Sequence, residues 1–191
     1  METTGTTYKR TFITLVCASL LSAAAFAQDN LFSANVGVTL PSDVFYVGDP
    51  IDYWPDRDAG LALGAKYYRG LSSTFFLGTY LDYEIINAED ETGSRTGIGI
   101  CFMGRLPEDL SGGFGFELGA TLGLAFVGGD EMDSQFGGDY GVFLGPVIEL
   151  GNDFQIALHI DLIAGGGTGG EIPESVFYSR SGVRISVYKG F

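Results

Sequence analysis

The sequence predicts an all-β protein, an eight-stranded antiparallel up-and-down transmembrane β-barrel, and three observations carry the prediction. Large apolar side chains recur at every second position through eight segments. The connections between those segments alternate short and long. The face opposite the apolar one is made of glycine and a few polar or charged groups.

The stretch 112–126, GGFGFELGATLGLAF, shows the pattern most clearly. Its even positions Phe114, Phe116, Leu118, Ala120, Leu122, Leu124 and Phe126 share one face of a strand, and Gly113, Gly115, Glu117, Gly119, Thr121, Gly123 and Ala125 share the other. A helix is disfavoured, because each of the four glycines would cost about 1 kcal/mol relative to alanine.

The first 27 residues stand apart from this pattern. Lys9 and Arg10 precede an apolar run, Phe12 to Phe26, which ends with Ala25 and Ala27 at the small-residue positions of a secretory cleavage site. We therefore expect a cleavable signal peptide over 1–27 and a barrel domain over 28–191. The run is short for a membrane anchor of about 20 residues. Cys17 follows the bulky Val16, which argues against lipidation there. Beyond the signal only Cys101 remains, so the barrel has no intramolecular disulfide.

In order, the segments are Leu31–Leu40, Ala59–Arg69, Thr74–Ile85, Gly97–Leu106, Gly113–Phe126, Tyr140–Leu150, Phe154–Ala164 and Phe177–Phe191. Brief connections follow the second, fourth and sixth, whereas the longer ones run Pro41–Asp58, Ile86–Thr96, Val127–Asp139 and Gly165–Val176. A meander with an even number of strands produces this alternation, with short turns at one end and long loops at the other. Pro146 inside the sixth segment requires a bulge or a locally unpaired position. The longest segments exceed the roughly 9–11 residues that cross a bilayer, so some strands should project beyond it.

Volume decides which face points outward. An eight-stranded barrel has just enough interior for a filling of side chains, so its many Leu, Ile, Val, Phe and Tyr residues cannot all fit inside. The apolar face therefore meets lipid, and the glycine face lines the lumen. Outward Phe32, Tyr67, Phe75, Phe114, Phe116, Phe154 and Phe191 then form one aromatic belt, and Tyr83, Phe126, Tyr140 and Phe177 the other.

The inward parity brings a set of polar residues together. Glu117 is expected to share the lumen with the cations Lys66, Arg105, Arg180 and Arg184, the anions Asp82, Glu84, Glu149 and Asp161, and with His159 and Tyr80. An unpaired carboxylate in such a place would cost several kcal/mol, so these residues are read as a salt-bridged plug, with conduction or substrate binding as the alternative.

The cleavable leader, the eight alternating segments and the C-terminal SGVRISVYKGF resemble the small eight-stranded outer-membrane barrels of Gram-negative type, the group of the OmpA membrane domain, OmpX and OmpW. The resemblance covers the whole mature chain. It implies residence in the bacterial outer membrane, contact with lipopolysaccharide or an equivalent outer-leaflet lipid, and recognition by the outer-membrane insertion machinery. Val183, Ile185, Val187 and Phe191 match that machinery's signal, and Lys189 departs from it. NVGVTLPSD, Asn35–Asp43, is similar to the first strand and loop of OmpW, which implies passage or capture of a small apolar ligand.

Other chemistry is sparse. His159 is the only histidine, no metal cluster is expected, and no cofactor is implied. His159, Asp161 and Ser186 sketch a nucleophilic trio, but the expected register separates the serine from the histidine by several residues. The barrel-shaped lipid A deacylases carry a His-x-Ser-Asn pattern, which His159-Ile160-Asp161 lacks, so the chain is read as a non-enzyme. With 23 acidic and 8 basic residues after the leader, counted as 24 less Glu2 and 10 less Lys9 and Arg10, its net charge is about −15. Nucleic acid is excluded as a partner on that balance. The acids gather in the long loops, at Asp43, Asp49, Asp52, Asp56 and Asp58, at Glu89, Asp90 and Glu91, and at Asp130, Glu131, Asp133 and Asp139. They are read as a solvated surface, and cation-bridged attachment to lipopolysaccharide or other surfaces is the sharper alternative. Phe45, Tyr46, Tyr53 and Trp54 in the first loop are candidates to cap the mouth or touch a partner. A monomer is expected.

Overall fold

Period-two patterning becomes nine strands in the computed structural model, which describes residues 30–41, 44–47, 58–88, 91–107, 110, 113–129, 135–168 and 175–191. They are β1 (Asn30–Thr39), β2 (Val44–Val47), β3 (Gly60–Gly70), β4 (Phe75–Ala88), β5 (Glu91–Leu106), β6 (Phe114–Gly129), β7 (Gln135–Gly151), β8 (Phe154–Thr168) and β9 (Ser175–Gly190). The eight long strands pair antiparallel in the order β1-β3-β4-β5-β6-β7-β8-β9, and β9 returns to β1 to close the barrel. The 1–27 segment lies outside the described residues.

The pairing register fixes the barrel's geometry. Following partners around the wall, Asn30 faces Arg69, then Leu77, Phe102, Ala120, Val142, Leu162 and Ser181, and Ser181 bonds back to Leu40. One circuit therefore climbs ten residues, from Asn30 to Leu40. With about 3.3 Å per residue and about 4.8 Å between strands, that stagger tilts the strands by about 40°.

The two faces divide as the parity demands. Phe32, Val36, Leu63, Leu81, Ile100, Leu122, Leu144, Leu158 and Ile185 are exposed on the outer wall, while their sequence neighbours Ser33, Asn35, Asp82, Cys101, Thr121, Phe143, His159 and Arg184 are buried within. Inward glycines make room for particular large side chains. A methyl group at Gly119 would collide with the Phe143 ring, one at Gly123 with the Tyr80 hydroxyl, and one at Gly115 with Leu110. Leu110 is the tip of the β5–β6 connection, and it turns into the barrel. There it joins Leu31, Tyr68, Phe76, Met103, Val147 and Tyr188 in an apolar floor at the short-turn end.

Two expectations are corrected. Connection lengths do not alternate as strictly as the segments suggested, because β4 and β5 run on to Ala88 and from Glu91, leaving only 89–90 between them. Likewise β6 and β7 close to within 130–134, and β8 and β9 to within 169–174, so much of each expected loop is ladder. Extended backbone bonds itself to its neighbour wherever a partner strand is already in register, which makes projection of a ribbon cheaper than a loop. The second concerns β2, which was not expected: it continues the line of β1 along the upper part of β9, with Val44 opposite Tyr178 and Val47 opposite Ser175.

Pro146 sits where the β7–β8 ladder lapses between the pairs Leu144–Ile160 and Val147–Ala157, a place where its missing N–H breaks nothing. The β7–β8 turn carries Asn152 (φ 52°) and Asp153 (φ 61°) at its two central positions. That is the left-handed pair a tight hairpin turn requires, and Asn and Asp tolerate it.

Candidate functional site

The polar lumen holds the only concentration of chemistry among the described residues, and it is organised in two tiers. The lower tier centres on Glu117 of β6. Arg105, its direct cross-strand neighbour on β5, donates to Oε1 from Nε (3.0 Å) and Nη2 (2.5 Å). Oε2 lies 2.9 Å from His159 Nε2 and accepts from the Tyr188 hydroxyl at 2.9 Å. A carboxylate offers about four lone-pair sites, so these four contacts saturate it. Because an ionised carboxylate only accepts, the proton facing it is assigned to Nε2. His159 Nδ1 lies 3.2 Å from Ser186 Oγ. The Arg105 guanidinium also stacks over Phe76 and Tyr188, at 5.2 and 5.9 Å from their centroids.

Local sequence explains how His159 reaches in from β8. Gly145, opposite Glu117 on β7, has no side chain, and a Cβ there would meet the backbone of Leu158 and His159. The ring of Phe143, 5.0 Å from the imidazole, separates the tiers. Lys66 Nζ lies 3.9 Å over that ring.

The upper tier interleaves arginines and carboxylates. Arg184 Nη1 donates to Asp82 Oδ1 (2.8 Å) and Asn35 Oδ1 (3.1 Å), and Nε lies 3.2 Å from Asp161 Oδ2. Arg180 Nε is 2.9 Å from Glu84 Oε2, and Nη1 is 3.7 Å from Asp161 Oδ2. Arg95 binds Asp139, which also accepts from the Tyr80 hydroxyl at 2.8 Å. In total five cations (Lys66, Arg95, Arg105, Arg180, Arg184) face five carboxylates (Asp82, Glu84, Glu117, Asp139, Asp161), all buried. Apart from His159, these charges balance five against five.

Of the residues singled out from sequence, Lys66, Tyr80, Asp82, Glu84, Arg105, Glu117, His159, Asp161, Arg180 and Arg184 are all buried in the barrel. Glu149 differs: it has the inward parity but stands half-exposed at the short-turn rim, beyond the packed network, because its strand ends two residues later. Asp139 was assigned to an acidic loop and is instead fully buried, since β7 begins four residues before it. Arg95 was missed for the same reason. Both have the parity of known inward neighbours, Gly97 and Gly141, and continuing the alternation by one more step would have found them.

The expected distance between His159 and Ser186 is also corrected. Ala157 pairs with Ser186 and His159 with Arg184, so the serine lies diagonally beside the imidazole. Asp161 is not the histidine's partner; Glu117 is. The resulting Ser186–His159–Glu117 line has the order of a nucleophile, base and acid, but no member is more than 2% exposed, and a substrate has no approach. Among the described residues no group of His, Cys, Asp or Glu could hold a metal ion. Phe45 and Tyr46 belong to β2, opposite Phe177 and Val176. Their side chains, with Tyr53, Trp54 and the acidic residues 43, 49, 52, 56, 89, 90, 130, 131 and 133, lie outside the described residues.

No protein-family model matches the chain, and no curated protein matches it either. Solved structures do. Neisserial surface protein A superposes with a TM-score of 0.57 at 13% identity, covering 85% of this chain and 97% of that one. OprG from Pseudomonas aeruginosa gives 0.55 at 9% identity, covering 86% and 96%. The N-terminal β-barrel domain of Pseudomonas aeruginosa OprF gives 0.50 at 14%, covering 87% and 100%. At such identities the likeness concerns the fold, which is that of the small eight-stranded outer-membrane barrels.

Proposed function

We propose that this protein is an outer-membrane barrel whose lumen is a structural plug and whose work is done at the cell surface, in envelope stabilisation or attachment, without transport and without catalysis. One observation carries the reading. Ten charged side chains and an apolar floor fill the lumen with their charges balanced, so an ion entering it would have to break pairs whose separation costs about 3–5 kcal/mol each.

The charge that the interior cancels reappears outside. The connections 40–59, 89–90, 130–134 and 169–174 join strands at one end of the barrel and carry twelve carboxylates against a single base, Arg57. A surface of that composition repels anions and takes up cations, including divalent ions bridging to anionic lipid or to other surfaces. Planar-bilayer recording with purified protein tests the plug: we expect no channel events, and steady unitary conductance would overturn the reading. Deleting residues 48–57 should abolish binding of the cells to labelled surfaces while leaving the barrel folded.

A second reading, capture of small apolar molecules, is favoured by one feature. An open depression of about 560 Å³ over β7, β8 and β9 is bordered by the outward Tyr140, Val142, Leu162 and Ala164, with Thr121 and Arg180 behind them. Its volume falls in the range of small-ligand sites, roughly 300–1,000 Å³. Saturable binding of a fluorescent apolar probe, lost in Ala164→Phe, would support this reading over the first.

A further inference from the structure

The chain has eight lysines and arginines beyond Arg10, and their placement is uneven. Five lie in the lumen and Arg57 in the first long connection. The remaining two, Arg69 and Lys189, both lie on the outward parity at the short-turn end, on the strands that flank β1. Lys189 faces Phe32, Phe32 faces Tyr67, and Arg69 follows Tyr67 by two residues, so the two cations bracket Phe32 with their Cα atoms about 12 Å apart across the wall.

One step further into the belt, Ala34 faces Ala65 on one side and Val187 on the other. The wall is shallow there, between bulky neighbours Phe32, Val36 and Leu63. A pair of cations at the edge of the apolar belt, with a shallow apolar track running from them toward mid-bilayer, matches a phosphate head and its hydrocarbon chain. We propose that this seam seats one anionic phospholipid of the leaflet at the short-turn end. Its phosphate lies between Arg69 and Lys189, and a chain lies along Ala34 and Ala65.

The donors are free to do so. Arg69 has no ion pair or hydrogen bond from its side chain among the described residues, and its planar fork suits a phosphate bidentately. Lys189 Nζ reaches the carbonyl of Asn152 at 2.7 Å and Asp153 Oδ2 at 3.2 Å, and stacks over Phe154 at 4.6 Å. An ammonium has three donors, so one is left for the lipid. The Asp153 pair is a surface one, with the carboxylate 73% exposed, and such pairs hold little energy. Most of the surface acids belong to the opposite end; among the described residues of this end, Asp153 already lies beside Lys189 and Glu149 stands on β7, away from the seam.

Native mass spectrometry of the delipidated full-length mature chain, titrated with phosphatidylglycerol or with phosphatidylcholine, tests the seat. We expect one phosphatidylglycerol retained in preference to phosphatidylcholine. The pair of changes Arg69→Gln and Lys189→Gln should weaken it by roughly ten- to thirty-fold, since each basic residue near a membrane surface contributes a several-fold gain. Ala65→Leu, which fills the track without touching charge, should also weaken it, whereas Arg57→Gln should not. Equal retention of the two lipids, or unchanged binding in both the charge and the Ala65→Leu variants, would overturn the proposal. So would a dimer mass that Ala65→Leu abolishes, since the occupant would then be a second copy. Heat-modifiable gel mobility of each variant, which reports a folded barrel, keeps a folding defect from being read as lost binding.

Discussion

The lumen and the long-loop connections of this barrel are both crowded with carboxylates, yet they obey opposite rules. Inside, five acids meet five bases, some on adjacent strands, as Arg105 with Glu117, and others across the lumen, as Arg184 with Asp82. In the connections at the long-loop end, twelve acids meet one base. The difference follows from solvent. In a water-poor interior an unpaired charge costs several kcal/mol, so composition is forced toward neutrality. In water, like charges are screened within about 10 Å at ordinary salt, and an excess is tolerated and useful. Conduction through such a lumen would require breaking what holds it together, whereas the connections can change without touching it.

The contrast can be broken or sharpened by substitution. The largest effect is expected at Glu117, where alanine strands Arg105, His159 and Tyr188 together and should cost about 3–5 kcal/mol in urea unfolding from lipid vesicles. Adding Arg105→Met to it should lose less than the sum of the two single changes, because the stranded cation is gone. Next comes the lipid face. Leu158 is the middle of the five large outward apolar residues of β8, and Leu158→Arg should cost about 2–4 kcal/mol in the same assay. If it is tolerated, the polarity of the barrel is wrong.

Smaller, and aimed at the comparison itself, Asp139→Asn should destabilise by about 1–3 kcal/mol because Arg95 and Tyr80 lose a charged partner. Asp133→Asn, in the neighbouring connection, should stay within about 0.5 kcal/mol. Equal effects at the two aspartates would erase the distinction between the regions. Gly119→Ala should cost about 1–3 kcal/mol through collision with Phe143, and Phe143→Leu in the same chain should recover part of it.

Much of this was legible in the alternation of side chains. Each of the eight long strands is built on one of the alternating segments, though several run beyond it, and Pro146 marks the lapse in the ladder that its missing donor demands. What escaped has physical reasons too. Polar residues at a strand's end look like loop, so Arg95 and Asp139 were placed outside although their parity was right. Leu110 lies in PEDLSG, a stretch with every mark of a turn, and nothing in it announces that its one apolar side chain enters the barrel. The short β2 has too few residues for a period to be read, and it exists because β9 extends past the end of β1 and offers an unpaired edge.

Polarity was determined by the sequence alone: with a period of two, every residue's face follows from its neighbours, and the bulk of one face against the interior volume leaves a single way round. Partnership was decided only by the tertiary structure. Which inward residues share a height depends on the ten-residue climb around the wall, a property of all eight registers at once. That climb brings Glu117 level with Tyr188 and sets Ser186 diagonally beside His159. No local pattern along the chain encodes a sum over eight strand pairs.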